Sequence, residues 1–385
     1  MDPDYTPEQE QLRQAVAALG RRYGHTYFVQ KAKAGQPTTE LWAEAGKLGY
    51  LGVNVPTEYG GGGGGITELA IVCEELAAAG CPLLLLVVSP AIVATIIARH
   101  GTPEQRHEIL PTIADGSRKV VFAITEPEAG SNMHRLGTTA TRDGDGYLLN
   151  GRKVFISGVD EADAVLVVAR MAERDSDRLR PALFLVPIDA PGLTWSKLDM
   201  EIVSPEHQFL LYLDQVRLGA GALIGDHESG LPALFSGLNP ERITVAAMGV
   251  GSARYALGRA SSYAGDRVVW GRPIGTHQGV AHPLAHAAIQ TELARLMVAR
   301  AATLYDAGRD VEAGVAANMA KYASSEAATL AVDTAIQVHG GNGMTTEYGV
   351  ATLLGAVRAG RIAPVSREMI LNYVAQHVLG LGKSY

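Results

Sequence analysis

The sequence predicts an α+β chain of several domains: a helical N-terminal domain, an antiparallel β-domain and a C-terminal four-helix bundle. Three observations carry this expectation. Apolar residues recur at helical spacing up to about residue 115, then in short runs rich in Val, Ile and Leu from 119 to 224, then at helical spacing again. The helical and strand-like stretches are segregated rather than alternating, which disfavours a doubly wound parallel sheet. A length of 385 residues with 47% hydrophobic content supplies two or three packed units and excludes wholesale disorder. The expected boundaries are 1–118, 119–226 and 227–385.

In the first block, Thr6-Pro7-Glu8 reads as an N-cap, a proline at the first helical position and an acidic first turn. Leu12, Val16 and Leu19 follow at helical spacing. A second helix spans 67–79 and stops at Gly80. The apolar stretch 81–98 is interrupted by Pro82 and Pro90, diluted by Ser89 and Thr95, and ends on Arg99-His100-Gly101. It reads as a buried core helix rather than a membrane span. Thr102-Pro103-Glu104-Gln105 repeats the opening signature ahead of Ile109, Leu110 and Ile113.

In the second block, strands are expected over 120–125, 147–156, 164–169, 182–187 and 209–216. Asp143-Gly144-Asp145-Gly146 and Asp189-Ala190-Pro191-Gly192 separate some of them as turns. In the third, helices over 240–266, 276–307, 311–338 and 366–378 are long enough for an antiparallel bundle. There Asn239 reads as an N-cap, Pro240 as the first helical residue, and Glu241 as a first-turn acid favoured by the helix dipole.

Composition excludes several function classes. With 33 Lys and Arg against 40 Asp and Glu, the formal charge of −7 argues against broad nucleic-acid or anionic-membrane binding. Two cysteines exclude a disulfide framework. Met1-Asp2-Pro3-Asp4 offers no basic region of a signal peptide, so a cytoplasmic location is expected. The 44 glycines exceed the average of about 7%. They mean either flexible linker or backbone that something approaches closely. Six of them run consecutively at 60–65, but Ile66-Thr67 follows where a phosphate loop needs Lys-Ser/Thr, so a flexible surface turn is expected. His277, His282 and His286 do not make a zinc site: Pro283 separates the last two and no Glu flanks His282. No metal is expected.

The segment Ile124-Thr125-Glu126-Pro127-Glu128-Ala129-Gly130-Ser131-Asn132 closes the first strand. Its end delivers Thr125, and Gly130-Ser131 supplies bare N–H groups and a hydroxyl that can hold an anionic group such as a pyrophosphate. Three further segments follow in order. One runs from Asp145-Gly146-Tyr147 through Asn150-Gly151-Arg152-Lys153 to Phe155-Ile156-Ser157. The next is Glu241-Arg242-Ile243, with Tyr263-Ala264, Arg267, Gly271, Pro273-Ile274 and Gln278. The last runs from Ala331-Val332-Asp333 to Ile336-Gln337-Val338-His339-Gly340-Gly341.

Together and in this order, these segments resemble the acyl-CoA dehydrogenases, a flavoprotein family, over essentially the whole chain. The resemblance implies the three domains read above and FAD at a subunit interface, usually in a homotetramer built as a dimer of dimers. It implies that Phe122, Ile124, Thr125, Gly130, Ser131, Phe155, Ile156 and Ser157 line the flavin within one subunit. Arg267, His277, Gln278, Gln337, Gly340 and Gly341 would meet the pyrophosphate and adenosine of the neighbouring subunit's FAD. Ser366 and Glu368 match positions toward the adenosine end. An acyl-CoA substrate and an electron-transfer flavoprotein are the implied partners, with no nucleic acid and no membrane.

The chemistry needs a base aimed at the substrate Cα. Many members carry it in a Tyr-Glu-Gly-Thr-type segment near the C-terminus. Here Arg361-Ile362-Ala363-Pro364-Val365 runs straight into Ser366-Arg367-Glu368. A minority, similar to isovaleryl-CoA and long-chain dehydrogenases, places the base on the first long bundle helix, which points to Glu241. Asn239, Arg242 and Ser131 would then face the substrate, Arg242 beside its CoA portion. Glu128 stands where Gly is common, Phe155 where Trp is common, and Trp270 where Phe is common. The expected reaction is FAD-dependent α,β-dehydrogenation of an acyl-CoA to the trans-2-enoyl thioester. Two alternatives stay open: a catalytically inactive flavin-binding subunit of a hetero-oligomer, and a flavin oxidase of the same superfamily.

Overall fold

A computed structural model describes residues 5–172, 179–226 and 230–384; the acidic Met1-Asp2-Pro3-Asp4 start lies outside them. The N-terminal region holds α1 (Pro7–Ala34), α2 (Thr39–Lys47), α3 (Ile66–Ala78), α4 (Thr95–His100) and α5 (Pro103–Ala114). Both expected capping signatures form. Thr6 and Thr102 accept from the backbone N–H of Gln9 and Gln105, whose side chains reach back to the cap backbones.

The apolar stretch after Cys81 becomes a π-helix over Val87–Ala94 that continues into α4. All of Val87–Ala94 is buried, Pro90 included. Asn54 Nδ2 donates to the Pro90 carbonyl at 2.9 Å. Among the described residues, no helix is long and apolar enough to cross a membrane.

The six glycines are not a slack turn. Gly62, Gly63 and Gly64 donate their N–H groups to the carbonyls of Gly52, Val55 and Val53 at 2.8–2.9 Å. A Cβ on Gly61 would stand 2.1 Å from the Val55 carbonyl oxygen, so only glycine lets the strands of the loop approach. The loop delivers Ile66 and Thr67 to Asp306, whose carboxylate accepts both their N–H groups at 2.7 and 2.9 Å and caps α3.

The middle region holds β1 (Val120–Ala123), β2 (Thr139–Asp143), β3 (Gly146–Ser157), β4 (Ala164–Ala172), β5 (Leu179–Pro187), β6 (Leu193–Leu198) and β7 (Gln208–Leu218). Sheet order is β1-β4-β2-β3-β7-β6, with β5 on the other edge of β4. The expectation of an antiparallel domain needs correction, because the sheet is mixed: β1 and β2 both pair parallel to β4. The two share one edge of β4, β1 opposite Ala164–Val167 and β2 opposite Arg170 and Met171. β1 and most of β4 are buried, as the continuous apolar runs of parallel strands require. β2 and β6, outside the expected strands, are mostly exposed; β2 is polar, and β6 mixes Leu193, Trp195 and Leu198 with polar residues.

The C-terminal region holds α6 (Gly230–Asp266), a small hairpin of β8 (Val268–Val269) and β9 (Arg272–Pro273), α7 (Gln278–Asp306), α8 (Asp310–His339), α9 (Leu353–Ala359) and α10 (Arg367–His377). The faces of α6 and α8 that meet are small. Ser324 Oγ donates to the Ala246 carbonyl at 2.6 Å, and a Cβ on Gly249 would touch Ser324.

The expected helix start at Asn239-Pro240 is corrected: α6 begins at Gly230 and carries Pro240 inside it. A proline there has no N–H for the Ser236 carbonyl. The Tyr305 hydroxyl on α7 donates to that carbonyl at 2.7 Å instead, so the helix runs on without an orphaned acceptor. Asn239 is therefore no N-cap, and Glu241 does not lie in a first turn.

Candidate active site

The turn after β1 is held by a buried ion pair. Lys153, on β3, is fully buried; its Nζ donates to Glu126 Oε1 at 2.8 Å and to the Ile124 carbonyl at 2.9 Å. Glu126 also accepts the N–H groups of Gly137 and Thr138, at 2.5 and 3.0 Å. Burial works to raise the Glu126 carboxyl, but the Lys153 ammonium and these donors overcome it and hold it below the usual range. Burial in turn pushes the Lys153 ammonium down to about 8 against the pull of Glu126. The Val154 N–H donates to Thr125 O at 2.9 Å, tying turn to strand. Glu126 and Lys153 stand in the sequence segments given above, where no role was expected of them. The available signal was phase: Lys153 shares the inward period of Tyr147, Leu149 and Gly151, where an ammonium requires a buried partner.

Phe155 lies two residues on, where the β3–β7 register shifts. Its φ is +58° and its ring is 57% exposed. A bulky residue in the left-handed region costs about 1–3 kcal/mol, so the surrounding structure fixes it there. Phe122 and Ile156 are buried, Ile124 and Thr125 partly buried, and Gly130 and Ser131 exposed. Ser157 Oγ exchanges hydrogen bonds with Gln208 at 3.0–3.1 Å. Glu128 is exposed in a turn closed by mutual Glu126–Ala129 backbone bonds, so its extra bulk disturbs nothing.

A second group gathers at the far end of the bundle. Arg267 opens the β8–β9 hairpin, and the Ile274 N–H donates to its carbonyl at 2.8 Å. His277 is the N-cap of α7; its Nδ1 sits 3.3 Å from an Arg272 nitrogen, while Nε2 is buried with no hydrogen-bond partner among the described residues. Tyr263 stacks on His339 at 4.4 Å and accepts from Asn342, bringing the α8 end with Gln337, Gly340 and Gly341 beside the α6 end. Gly340 closes α8 at φ +59°. Gln278, Gln337, Gly340 and Gly341 are exposed. Ser366 and Glu368 lie elsewhere: Ser366 caps α10 through Met369 N at 3.3 Å, next to the middle of α8.

These residues fit an FAD. No atom of the described residues, chain neighbours aside, stands within 4 Å of where a Cβ would be on Gly130, Gly340 or Gly341, so their bareness serves no neighbour among them. An exposed, strained phenylalanine and an orphaned imidazole nitrogen likewise await a partner.

Glu241 is partly buried on α6, and among the described residues its carboxylate accepts no hydrogen bond. Burial raises its pKa to about 7 against the pull of Arg242 and Lys321. Arg242 is 8% exposed; it donates to Asn239 Oδ1 at 3.0 Å, and its Nε has no hydrogen-bond partner among the described residues. Asn239 Nδ2 reaches the Asp310 carbonyl at 3.4 Å. His282 and His286 are exposed, and no group of three metal-binding side chains forms among the described residues.

Three family models cover the chain: the acyl-CoA dehydrogenase N-terminal domain at residues 6–117, middle domain at 121–209 and C-terminal domain at 228–379. Acyl-CoA dehydrogenase FadE12 of Mycobacterium tuberculosis is 59% identical over 378 residues, covering 98% of this chain and 97% of that protein. Butyryl-CoA dehydrogenase from Megasphaera elsdenii superimposes with a TM-score of 0.91 at 28% identity, over 98% of this chain and 100% of that one. An FAD complex of PigA gives 0.92 at 25% identity, over 99% and 100%.

Proposed function

Since the chain belongs to the acyl-CoA dehydrogenase family and is an FAD oxidoreductase, we propose that it dehydrogenates an acyl-CoA between Cα and Cβ with Glu241 as the base. The observation that carries this reading is the placement of Glu241: a carboxylate packed inside α6 that accepts no hydrogen bond among the described residues, and that burial raises to about 7. A base so poised is half ionised near neutral pH and loses no bonded partner on taking a proton. In this reading the Glu241 carboxylate takes the α-proton, Arg242 and Asn239 orient the thioester and its CoA portion, and Ser131 lies toward the substrate. The β1 turn with Phe155, Ile156 and Ser157 holds the isoalloxazine. The Arg267, His277-Gln278 and Gln337 to Gly341 group receives the adenosine end of a second subunit's cofactor, while Ser366 and Glu368, beside the middle of α8, meet the cofactor apart from that group. FAD bound there would supply the hydride acceptor for Cβ, and an electron-transfer flavoprotein would take the electrons.

We include a homotetramer in this reading. Trp270 is 87% exposed at the hairpin tip, and Ile289, Leu293 and Leu296 line one exposed face of α7. Such apolar surface favours burial against another copy.

Anaerobic mixing with a panel of acyl-CoAs tests the proposal. The protein should bleach its flavin with at least one of them, and Glu241→Gln should keep flavin yet lose bleaching. Bleaching by Glu241→Gln at a near-normal rate removes the base assignment. No bleaching by any acyl-CoA favours an inactive flavin-binding subunit, and rapid peroxide formation in air favours an oxidase.

A further inference from the structure

Lys321 is a buried cation outside the proposed reaction. It is 1% exposed on α8, and its Nζ donates to the Val365 carbonyl at 2.5 Å. Val365 ends the stretch Arg361-Ile362-Ala363-Pro364-Val365, which stands where many relatives would carry their acid. Helix register puts Lys321 and Glu241 in the same stretch of the α6–α8 interface. Asn239 on α6 meets Asp310 on α8, and Ala246 meets Ser324. The two helices ascend together, so Glu241 and Lys321 both lie between those contacts.

Resting on the reading of Glu241 as base, we propose that Lys321 is its positioning residue: it faces the carboxylate with a fixed cation and fastens the 361–365 turn over the place of the absent acid. The charged surroundings are compatible with this. Glu241 is faced by Arg242 from its own helix and by Lys321 from α8. Lys321 is faced by Glu241 and Arg242 from α6, by Glu326 on α8 and by Glu368 on α10. Arg242 is faced by Glu241 and by Tyr373 on α10. Glu326 is itself engaged by Arg361 and Arg367, at 2.8 and 3.1 Å, so it is not free to neutralise Lys321. Burial lowers the Lys321 ammonium to about 8 against the pull of these carboxylates, leaving it charged where the base works. A cation that holds a carboxylate ionised lowers the pH at which the base becomes active.

The experiment compares FAD-loaded wild type, Lys321→Met and Lys321→Arg by anaerobic flavin bleaching with an acyl-CoA across pH. Lys321→Met should keep its flavin, move the acid limb of the profile upward by about one pH unit, and lose roughly tenfold in rate on the acid side. Lys321→Arg should return the limb toward its wild-type place. A slower Lys321→Met with an unmoved limb means a structural role only and overturns the proposal. If Lys321→Met does not fold, infrared difference spectra of wild type against Glu241→Gln decide. A Glu241 carboxyl titrating near 7 supports a facing cation, and one titrating above about 9 overturns it. Persistent bleaching by Glu241→Gln is a separate outcome, because it removes the base itself whatever Lys321 does.

Discussion

Replacing Lys153 with Met removes one partner of a fully desolvated pair and leaves the other in place. Glu126 is 7% exposed and keeps only the Gly137 and Thr138 N–H donors once the ammonium is gone. Stranding a buried carboxylate this way costs about 3–5 kcal/mol, and the melting temperature should fall by about 5 °C. The Ile124 carbonyl loses its donor as well, so the flavin turn loosens along with the fold. The assay is thermal unfolding with and without excess FAD. A tenfold loss in FAD affinity removes about 1.4 kcal/mol of ligand stabilisation. The pH dependence has a definite sign. In the wild type, Glu126 has a depressed folded pKa, so its contribution is present above the unfolded carboxylate value and is lost as pH falls through the folded one. In the variant, protonation relieves the stranded charge, so the deficit shrinks toward acid pH. Glu126→Gln combined with Lys153→Met should recover more than half of the loss. A deficit below about 1 kcal/mol at neutral pH with unchanged FAD affinity would refute the argument that this pair holds the turn.

Four further outcomes are expected. Glu241→Gln should stabilise the protein by about 1–3 kcal/mol above pH 7, a gain that fades toward pH 5. The raised folded pKa means that wild-type stability falls as pH rises from the unfolded value through about 7, and urea titrations at both ends check it. Phe155→Gly should relieve about 1 kcal/mol of left-handed strain, so the apoprotein melts no lower while FAD binds more weakly; equal FAD affinity in titration counts against a flavin role. Gly61→Ala should cost about 1–3 kcal/mol in urea unfolding, since its Cβ would stand 2.1 Å from the Val55 carbonyl. Asp306→Ala uncaps α3 and should cost about 1–2 kcal/mol, read by the same method.

The helical blocks were legible because local chemistry decides them. Thr6 and Thr102 carry complete capping boxes, and both formed. The central strands were legible because β1 and β4 are apolar along their length. β2 is polar and mostly exposed, so alternation had nothing to register, and its ladder to β4 joins strands distant in sequence. β6 interleaves Leu193 and Trp195 with polar residues, but only Leu193 is buried. The glycine run misled for a related reason. Sequence shows that a backbone is bare but not what lies against it. At 60–64 the answer is the protein's own carbonyls; at Gly130, Gly340 and Gly341 it is open space of the kind a cofactor needs.

The same limit explains Glu241. Asn-Pro-Glu is a strong local start signal, and local reasoning alone made the acid a dipole partner at a helix N-terminus. What overrides the signal is Tyr305, far along the chain on α7, whose hydroxyl takes the carbonyl that Pro240 leaves unbonded. Once that acceptor is satisfied, α6 continues through the proline, and Glu241 moves from a solvated helix end to a packed helix middle. There it gains no free N–H groups and no dipole end, so desolvation dominates and the carboxyl rises instead of falling. A first-turn glutamate would be a weak base at neutral pH; the same residue inside the helix is poised to take a proton. The Tyr305–Ser236 bond thus belongs to the chemistry as much as to the fold, although neither residue lies in any motif that marks the family.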